Sequence, residues 1–547
     1  MKYILFINLF ITTYCFSQNT VGTIVNTQNS YDGYTLFSPR FTVDTYLINN
    51  CGEIINQWTS NFQNTGGEFL MEDGSIYTSN LERNSSLLLN GVSGRIEKKD
   101  WDNNLLWEFS YSDTDYTLHH DYYPLSNGNI LMLVAHRMTE TEALESGRNP
   151  SLLPQEELYD ERIIEVQPIG LDQGIIVWEW RLWDHLIQDF DTSKENFGVV
   201  SDHPELLNIN YLGDSEAIAD WLHINALDYN ENLDQIIISS RHLNEFYIID
   251  HSTTTTEAAS SVGGNIGKGG DFLYRWGNPE AYNQGSTSDK KADGQHNVNW
   301  IPEGFPDANK IMFFNNGRNR TYSSVEIINP PINENGDYEY IPNTAYGPTE
   351  SEWIYTDPEN PDNFYSSFIS GAYRLSNGNT LITNGAVGEI FEINSSATIV
   401  WKYINPLPFN DEAISQGETH TGTPLTFFRS KRYSPDYSAF SNKDLSPVGF
   451  IESNPIPENC ELFNILSTEQ YDRLPAVSIS PNPVNDIMYI NNNKNKTLQL
   501  EIRGLHGQKF PIQLINNWVD VSHLNTGIYI VLITFNDKTL TKKIIKT

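Results

Sequence analysis

Apolar residues along the chain mostly alternate with polar ones, or form runs of four to seven between turns rich in Asn, Gly and Asp. Both patterns are typical of β-strands. The long stretches of period 3.6 that mark amphipathic helices do not organise the chain. We therefore predict an all-β fold.

A repeat groups these strands. One half is a turn and a strand, Leu-Ser-Asn-Gly-Asn, at residues 125–129 and again at 375–379. The other half is a hairpin that ends in tryptophan, with copies at Trp58, Trp107, Trp178, Trp276, Trp353 and Trp401. Six such units predict a six-bladed β-propeller, whose closed ring removes exposed sheet edges. We expect the tryptophans to pack between blades as scaffold.

Domain boundaries follow from where this repeat begins and ends. We predict a signal peptide at 1–18, the propeller at 19–465, a linker at 466–476 and a small β-sandwich at 477–547. Two long insertions, at 140–159 and 183–220, are expected to rim one mouth of the central channel. Within the second, residues 215–221 are predicted to form a short helix.

The first eighteen residues predict export. Lys2 is followed by an apolar stretch at residues 4–11 and by small or polar residues up to Gln18. Neither this stretch nor a later one reaches the about 20 apolar residues of a membrane anchor. With the peptide removed, Cys51 and Cys460 remain, and they either form a disulfide or stay as two buried thiols.

The chain is strongly acidic, with a formal net charge of -36. This charge repels phosphate backbones and anionic membrane surfaces, so nucleic acid is excluded as a partner. An anionic substrate would need a local cationic pocket inside a negative shell.

The innermost strand of each propeller blade lines the channel, so equivalent positions converge on the axis. The repeat places His120, His223 and His296 at or near that position in blades three, four and five. We predict that these three histidines face one cavity. His136, His242, His251 and His506 share no such register and are interpreted as structural or surface residues.

Arginines in two blades can meet an anion. Arg318 and Arg320 lie on a turn after the strand that follows His296, and a guanidinium matches the oxygens of sulfate or carboxylate. Arg241 is either a second anion contact or half of an ion pair at the blade edge, and we favour the ion pair.

Three histidines can also form an open zinc site. Because no pair occurs at local ligand spacing and arginines are near, we expect no metal.

The C-terminal segment resembles the sorting domain of the type IX secretion system. The resemblance rests on Ser-Pro-Asn-Pro-Val-Asn-Asp at 480–486 and Thr-Gly-Ile-Tyr-Ile-Val at 526–531. It implies that the secretion machinery is a partner and that the protein is secreted or held at the cell surface, with no role for this domain in the chemistry.

The body of the chain resembles the aryl-sulfate sulfotransferase family. The strongest matches are Asp-Trp-Leu-His-Ile-Asn at 220–225, Ser-Ser-Arg-His-Leu-Asn-Glu-Phe at 239–246, Gln295-His296 and the Asn-Gly-x-x-Arg that ends at Arg320. The resemblance implies a six-bladed propeller that moves a sulfuryl group from one phenol to another. It implies no cofactor and no nucleotide donor, and a sulfated histidine as the intermediate.

Carried onto this sequence, the family chemistry needs a nucleophile, a proton donor and fixed positive charge. A neutral imidazole is a good nucleophile near pH 7. The expected catalytic residues are His120, His223, His296 and Arg320, with Arg320, His223 and His296 as a cationic set. Arg318 and Asn225 are expected to contact the substrate, an aryl sulfate or a phenol, and Asn225 either touches a sulfuryl oxygen or orients an imidazole.

One departure from the family pattern leaves the nucleophile open. In the family the nucleophilic histidine follows the arginine in a later blade, but no histidine lies here between His296 and His420, and blade six offers Ser370 and Gly371 instead. Either one of the three channel histidines is the nucleophile, or His420 reaches the channel, or the propeller binds sulfated or anionic ligands without turnover. A cell-surface adhesion module with structural histidines is a further alternative.

Overall fold

The computed structural model describes residues 20–409, 412–418, 424–456, 460, 477–492, 499–504, 508–512, 514–515, 517–535 and 538–547. The chain divides into two compact units, Met1–Phe463 and Asn464–Thr547. The predicted signal peptide, the predicted linker, His420 and His506 lie outside the described residues.

Six antiparallel sheets of four or five strands form the described part of the first unit, and the strands are numbered in chain order. Sheet 1 contains β2 (Tyr34–Pro39), β3 (Asp44–Ile48), β4 (Ile54–Thr59) and, innermost, β28 (Phe427–Tyr433). Sheet 2 contains β5 (Phe69–Leu70), β6 (Ile76–Leu81), β7 (Gly94–Lys99) and β8 (Leu105–Ser110). Sheet 3 contains β9 (Ser112–Asp113), β10 (Tyr116–Pro124), β11 (Ile130–Thr139), β12 (Glu157–Ile169) and β13 (Gln173–Arg181).

The other three sheets follow the same plan. Sheet 4 contains β16 (Ile224–Asn230), β17 (Gln235–Ser240), β18 (Glu245–Asp250) and β19 (Tyr274–Trp276). Sheet 5 contains β20 (His296–Trp300), β21 (Ile311–Asn315), β22 (Ser324–Ile328) and β23 (Trp353–Tyr355). Sheet 6 contains β24 (Gly371–Arg374), β25 (Thr380–Asn384), β26 (Glu389–Ile393), β27 (Ile399–Ile404) and, outermost, β1 (Gly22–Asn26).

Helices are few and short. The α-helices of the described chain are α1 (Glu140–Glu145) and α2 (Thr255–Ala258). The 3₁₀-helices are Pro150–Leu152, Leu182–His185, Val200–Asp202, Pro279–Tyr282, Thr287–Asp289, Pro361–Asn363 and Ser438–Phe440. The second insertion carries a small parallel sheet of β14 (Leu186–Ile187) and β15 (Leu207–Asn208). The predicted helix at 215–221 is wrong, because this stretch consists of turns and irregular backbone.

The hydrophobic core lies between sheets, which explains why the strands carry apolar residues on both faces. Five clusters of buried side chains each join two sheets that follow one another in the chain, and a sixth joins sheet 6 to sheet 1. In that closing cluster, Tyr46 and Ile48 of sheet 1 pack with Leu381 and Trp401 of sheet 6. The sheets therefore form a closed ring, as in a β-propeller, and the all-β prediction is confirmed.

Each repeated tryptophan lies in the outer strand of the four-stranded unit of its sheet. These strands are β4, β8, β13, β19, β23 and β27. Five of them donate the indole N–H to an acceptor in the next sheet's outer loops. Trp58, for example, donates to the carbonyl of Asp100 at 2.9 Å, and Trp401 to that of Asn50 at 2.8 Å. Each of these tryptophans therefore couples neighbouring sheets through both packing and a hydrogen bond.

Both ends of the first unit take part in closing the ring. The N-terminal strand β1 adds to sheet 6, and the late strand β28 completes sheet 1 from the inside. A disulfide joins Cys51, in the β3–β4 hairpin, to Cys460, with 5.4 Å between the Cα atoms. Of the two states left open by the sequence, the structure has the disulfide.

The second unit contains two antiparallel four-stranded sheets. One consists of β29 (Val477–Ser480), β30 (Ile487–Asn492), β33 (Leu514–Ile515) and β34 (Trp518–Asp520). The other consists of β31 (Gln499–Gly504), β32 (Lys509–Phe510), β35 (Gly527–Phe535) and β36 (Lys538–Lys546). Residues of both sheets, including Met488 and Val531, share one buried core, which gives a β-sandwich.

Candidate active site

A cavity of about 420 Å³ opens at one end of the ring axis, and His120, His223 and His296 all line it. The prediction that three channel histidines share one cavity therefore agrees with the geometry. We call this space the histidine cavity. Its apolar wall includes Phe41, Leu89, Phe368 and Phe428.

His223 is held by a buried carboxylate. Its Nδ1 lies 2.7 Å from Oδ2 of Asp220, and both side chains are buried. Because a carboxylate only accepts, Nδ1 carries the proton and Nε2 of the neutral ring keeps a lone pair. Nε2 has no hydrogen-bond partner among the described residues. His223 therefore presents an oriented nucleophilic nitrogen beside the cavity.

His120 is connected to a second buried carboxylate through its neighbour. Nδ1 of His120 lies 3.0 Å from Nδ1 of His119, whose Nε2 lies 2.8 Å from Glu161. Burial opposes a charge on His119, but Glu161 with Asp220 and Asp121 outweighs it and raises the pKa of His119. Burial and the neighbouring histidines lower the pKa of His120 well below its usual value.

The carboxylate of Glu161 favours the charged form of His119. In that form His119 donates from Nδ1 to Nδ1 of His120, and neutral His120 carries its own proton on Nε2. The rings of His120 and His223 lie edge to face with 4.7 Å between centroids. One imidazole thus offers a proton and the other a lone pair, at adjacent points of the cavity.

His296 has no free ring nitrogen. Nδ1 donates to Oδ1 of Asn316 at 2.7 Å, and Nε2 accepts the backbone N–H of Ile369 at 3.2 Å. Burial, and then the charge of Arg241, lower the pKa of His296 well below its usual value. His296 is therefore neutral near pH 7, and the expectation that it belongs to a cationic set is wrong.

Two of the cavity histidines hold a strained backbone. His120 and His223 have φ of 49° and 50°, in the left-handed region that non-glycine residues rarely adopt. In sheet 5 the residue with this conformation is Asn297, at φ 50°, one position after His296. Strain of this kind concentrates at functional sites, where the surrounding structure maintains it.

Positive charge in the cavity comes from three arginines that the sequence analysis did not assign to catalysis. Arg40, Arg83 and Arg241 line the cavity, and no carboxylate is among its lining residues in the described chain. Burial, followed by the charge of Arg318, lowers the pKa of Arg241 to about 10, which leaves it protonated at pH 7. The predicted ion pair of Arg241 is wrong for the described residues, since its side chain is hydrogen-bonded to His242 instead.

Arg320 is not brought to the cavity. Its guanidinium donates to the carbonyl of Tyr322 at 3.0 Å and to Oγ of Ser324, and it lies 3.8 Å from Glu326. These contacts hold it within sheet 5, away from the residues that line the cavity. The expected catalytic placement of Arg320 is thus not met, because the turn after β21 directs its side chain back onto β22.

The two expected substrate contacts are also outside the lining. Asn225 is fully buried and donates to the carbonyl of Gln295 at 2.7 Å, so it supports the backbone next to His296. Arg318 is exposed and reaches the site only through its charge on Arg241. Ser370, the register position in sheet 6, is buried and bonded to Ser366 at 2.8 Å.

His242 supports this site, although the sequence suggested no role for it. Its ring stacks on that of His223 at 4.8 Å, its Nδ1 donates to the carbonyl of Asp220 at 2.9 Å, and its Nε2 accepts from Arg241 at 3.2 Å. Burial, then the nearby His223, lower the pKa of His242 to about 4. A neutral His242 thus orients both Asp220 and Arg241.

Asp220, His223 and His242 are also the described residues that can hold a metal, since their ligand atoms lie within 4.8 Å of one another. Their hydrogen bonds already engage both Nδ1 atoms. The cation of Arg241, bonded to Nε2 of His242, would oppose a second positive charge. The donor set therefore fits an oriented imidazole better than a metal.

The rim of the histidine cavity differs from the one predicted from the sequence. Residues of the β6–β7 loop, including Arg83 and Leu89, line the cavity, whereas neither long insertion does. Only Asp220, at the end of the second insertion, reaches the site, through His223. The Asp-x-x-His spacing was the one signal in the sequence that could have identified Asp220.

The solved structures that match this chain have low sequence identity and low TM-scores. A protein of unknown function from Bacteroides caccae shares 10% identity over 73% of this chain and 98% of its own, with a TM-score of 0.40. The periplasmic gluconolactonase of Pseudomonas aeruginosa shares 9% over 72% and 99%, with a TM-score of 0.35. Virginiamycin B lyase from Staphylococcus aureus shares 9% over 71% and 90%, with a TM-score of 0.31. No curated protein matches the chain.

Family models match both units. The model of the secretion system C-terminal sorting domain matches residues 478–547, which assigns the protein to the cell surface or the outside of the cell. In the described residues we find no helix with the length and apolar character to span a membrane. The arylsulfotransferase (ASST) model matches residues 27–423 of the 547, from the residue after β1 to the segment before β28. The chain therefore belongs to the arylsulfotransferase family, a family of sulfuryl-transfer enzymes.

Proposed function

We propose that this protein transfers a sulfuryl group from an aryl sulfate to a phenol, without a nucleotide donor, through a covalent intermediate on His223. The observation that carries the assignment of His223 is its geometry. Nδ1 is fixed by Asp220 at 2.7 Å, and Nε2 is without a partner among the described residues at a cavity lined by arginines.

In the first half-reaction, the Nε2 lone pair of His223 attacks the sulfur of the donor. A sulfur–nitrogen bond forms, the bond from sulfur to the aryl oxygen breaks, and its electron pair leaves on the phenolate. His120 protonates this oxygen from Nε2 and takes a proton on Nδ1 from His119. Asp220 stabilises the positive charge that develops on the His223 ring, as a carboxylate does beside a catalytic imidazole.

In the second half-reaction, Nε2 of His120 accepts the proton of the incoming phenol. The phenol oxygen attacks sulfur, the sulfur–nitrogen bond breaks, and its electron pair returns to His223. His119 regains its proton from His120. Both histidines are then in their starting forms, so the cycle balances without a cofactor.

The three sulfuryl oxygens are expected to lie against Arg40, Arg83 and Arg241. Preorganised cations in a partly dry cavity stabilise charge in the transition state more than water does. A cavity without carboxylates in its described lining is unusual in a chain with net charge -36, and it provides the local positive field that an anionic donor needs.

The test is a trapping experiment with 4-nitrophenyl sulfate. Incubated with the donor alone, the protein is expected to gain the mass of one SO₃ group on the peptide that contains His223, and added phenol should remove the label. His223→Ala should abolish labelling. His296→Ala and His251→Ala are matched controls, and each should still label after correction for the folded fraction.

Other results would change the assignment. Label on the peptide containing His420 would move the nucleophile to that residue. A protein that binds 4-nitrophenyl sulfate through Arg241 but is never labelled would be a binding propeller for anionic ligands, and we would abandon the enzyme proposal.

A further inference from the structure

The opposite end of the ring axis holds a second and larger cavity of about 770 Å³. Three of the inner strands run from one cavity to the other. Along each of them the earlier residue lines the histidine cavity and the later one lines the second cavity: His120 and Tyr123 on β10, His296 and Asn299 on β20, Phe428 and Lys431 on β28. We call the second space the aromatic cavity.

A buried ion pair lies between the two cavities. Asp121 follows His120 on β10, Arg429 follows Phe428 on β28, and their side chains are bonded to each other. Asp121 also accepts the backbone N–H of Leu227 at 2.9 Å. The second cavity is therefore separated from the histidines and is not a part of the proposed active site.

Aromatic side chains reach the aromatic cavity from all six sheets. One from each sheet, in order, is Tyr433, Phe69, Tyr123, Tyr229, Trp300 and Tyr373. A volume between roughly 300 and 1,000 Å³ with a mainly aromatic wall is typical of small-molecule sites.

Hydrogen bonds to the protein fix several of these rings. The Tyr229 hydroxyl donates to Asp234 at 2.7 Å, that of Tyr433 accepts the N–H of Leu70 at 3.0 Å, and that of Tyr373 accepts from Asn297 at 2.9 Å. Rings that are already ordered lose little freedom when a ligand packs on them. The cavity is therefore preorganised.

Both signs of charge line this cavity. Its lining includes four carboxylates and three cationic side chains, which are Glu72, Asp228, Glu231, Glu303, Arg374, Lys431 and Arg432. A strongly anionic ligand would meet the carboxylates, and a strongly cationic ligand would meet the lysine and the arginines. A neutral ligand avoids both penalties.

Lys431 also lacks a partner for its donors. Its Nζ lies 3.0 Å from the centre of the Phe69 ring and makes no hydrogen bond or ion pair to a described residue. Burial and the charge of Arg429 lower its pKa. An oxygen acceptor on a ligand would supply the hydrogen bond that this amine lacks.

We propose that the aromatic cavity binds a neutral oligosaccharide. A sugar ring has apolar C–H faces that pack on aromatic rings, and hydroxyls at its edge that both donate and accept hydrogen bonds. Carboxylates, asparagines, two guanidinium groups and one amine beside aromatic rings match that combination. This site is independent of the proposed sulfuryl transfer.

Calorimetric titration of the full chain with cellotriose, maltotriose and laminaritriose tests the proposal. At least one trisaccharide is expected to bind saturably, and Tyr229→Ala should weaken it by about tenfold or more, the scale of losing one ring contact. Tyr489→Ala, a tyrosine that is 49% exposed in the second unit, is the matched control. His223→Ala should leave sugar binding unchanged, which separates this test from that of the active site.

A second measurement covers the case in which Tyr229→Ala fails to fold. Lys431 should react with an amine-specific label in the free wild-type protein and be protected by the bound trisaccharide. The proposal is overturned if none of the three sugars binds, if a bound sugar leaves Lys431 unprotected, or if protection comes instead from 4-nitrophenyl sulfate or choline.

Discussion

The histidine cavity and the aromatic cavity are opposite ends of the same inner strands, yet their chemistry differs. One has three arginines and three histidines without a carboxylate in its described lining, and the other has aromatic rings with charges of both signs. The overall charge of -36 predicts neither. A propeller thus builds two unlike sites from one set of strands, because position along each strand decides which end a side chain serves.

A smaller comparison within the first unit shows what makes His223 special. His251 also lies 2.7 Å from an aspartate, Asp234, but its other nitrogen is bonded to Glu165. Burial opposes the charge on His251, and the two carboxylates outweigh it and raise its pKa to about 9. His223 has one carboxylate and one free nitrogen, so it is suited to react, whereas His251 is held as a cation.

The largest effect is expected for Asp220→Asn. Loss of the carboxylate removes the orientation of His223 and the stabilisation of its charge, so turnover of 4-nitrophenyl sulfate should fall by about 100- to 10,000-fold. Asp234→Asn, which changes the matched pair at His251, should leave turnover within about threefold. Equal losses in both variants would show that the Asp220 contact has no special role.

Arg241→Ala should have the next largest effect. Removing one preorganised donor lowers turnover by roughly 100- to 1000-fold. Arg320→Ala is the control, because its contacts lie within sheet 5, and it should lower turnover of the folded protein only slightly. A larger loss for Arg320→Ala than for Arg241→Ala would restore the placement expected from the sequence.

Gly91→Ala should obstruct the histidine cavity. A Cβ at Gly91 would lie 2.2 Å from the His120 ring, and its φ is +77°. Gly128 has a φ of +89° with nothing near its Cβ, so Gly128→Ala carries the backbone strain alone. Labelling by the donor should slow by about tenfold in Gly91→Ala, because displacing His120 should raise the activation free energy by roughly 1.4 kcal/mol. The rate of labelling should remain unchanged in Gly128→Ala.

The last effect concerns stability against pH and is the one expected to change turnover least. The folded pKa of His242 is about 4, below the ordinary value of 6.5, so the unfolded chain binds the extra proton between these values. Its contribution to the free energy of unfolding, up to about 3 kcal/mol, is present above pH 6.5 and is lost as the pH falls towards 4. Thermal melts of His242→Gln should therefore show a shallower fall in Tm over this range than the wild type.

Much of the fold followed from local patterns. The six tryptophans predicted outer strands because a large ring at a repeated position must pack between sheets, and the channel histidines followed from the same register. Arg320 did not reach the cavity, since residue spacing on a turn does not determine where a side chain points. Arg40 and Arg83 were missed because they come from loops of sheets 1 and 2, far in sequence from the histidines, and only ring closure brings them together.

The neighbours of the histidines were harder to predict for a different reason. His119, Glu161 and His242 come from two strands of sheet 3 and a turn of sheet 4, and their roles depend on which ring nitrogens carry protons. A repeat in the sequence can show that three histidines occupy equivalent positions. It does not reveal which of them keeps a free nitrogen, and that distinction separates His223 from His296.

The Cys51–Cys460 disulfide has a mechanical consequence. Tension applied to the chain beyond Cys460, as during passage through an export pore, is transmitted by a covalent bond to the hairpin of sheet 1, which lies 409 residues earlier. Without that bond the load would fall first on the contacts of residues 434–456, such as the pairing of Phe450 with Glu53, and then on β28, the innermost strand of sheet 1, which it would peel from β2. The disulfide thus shields the strand that carries Arg429 and Lys431 from being unzipped by a pull from the C-terminal side.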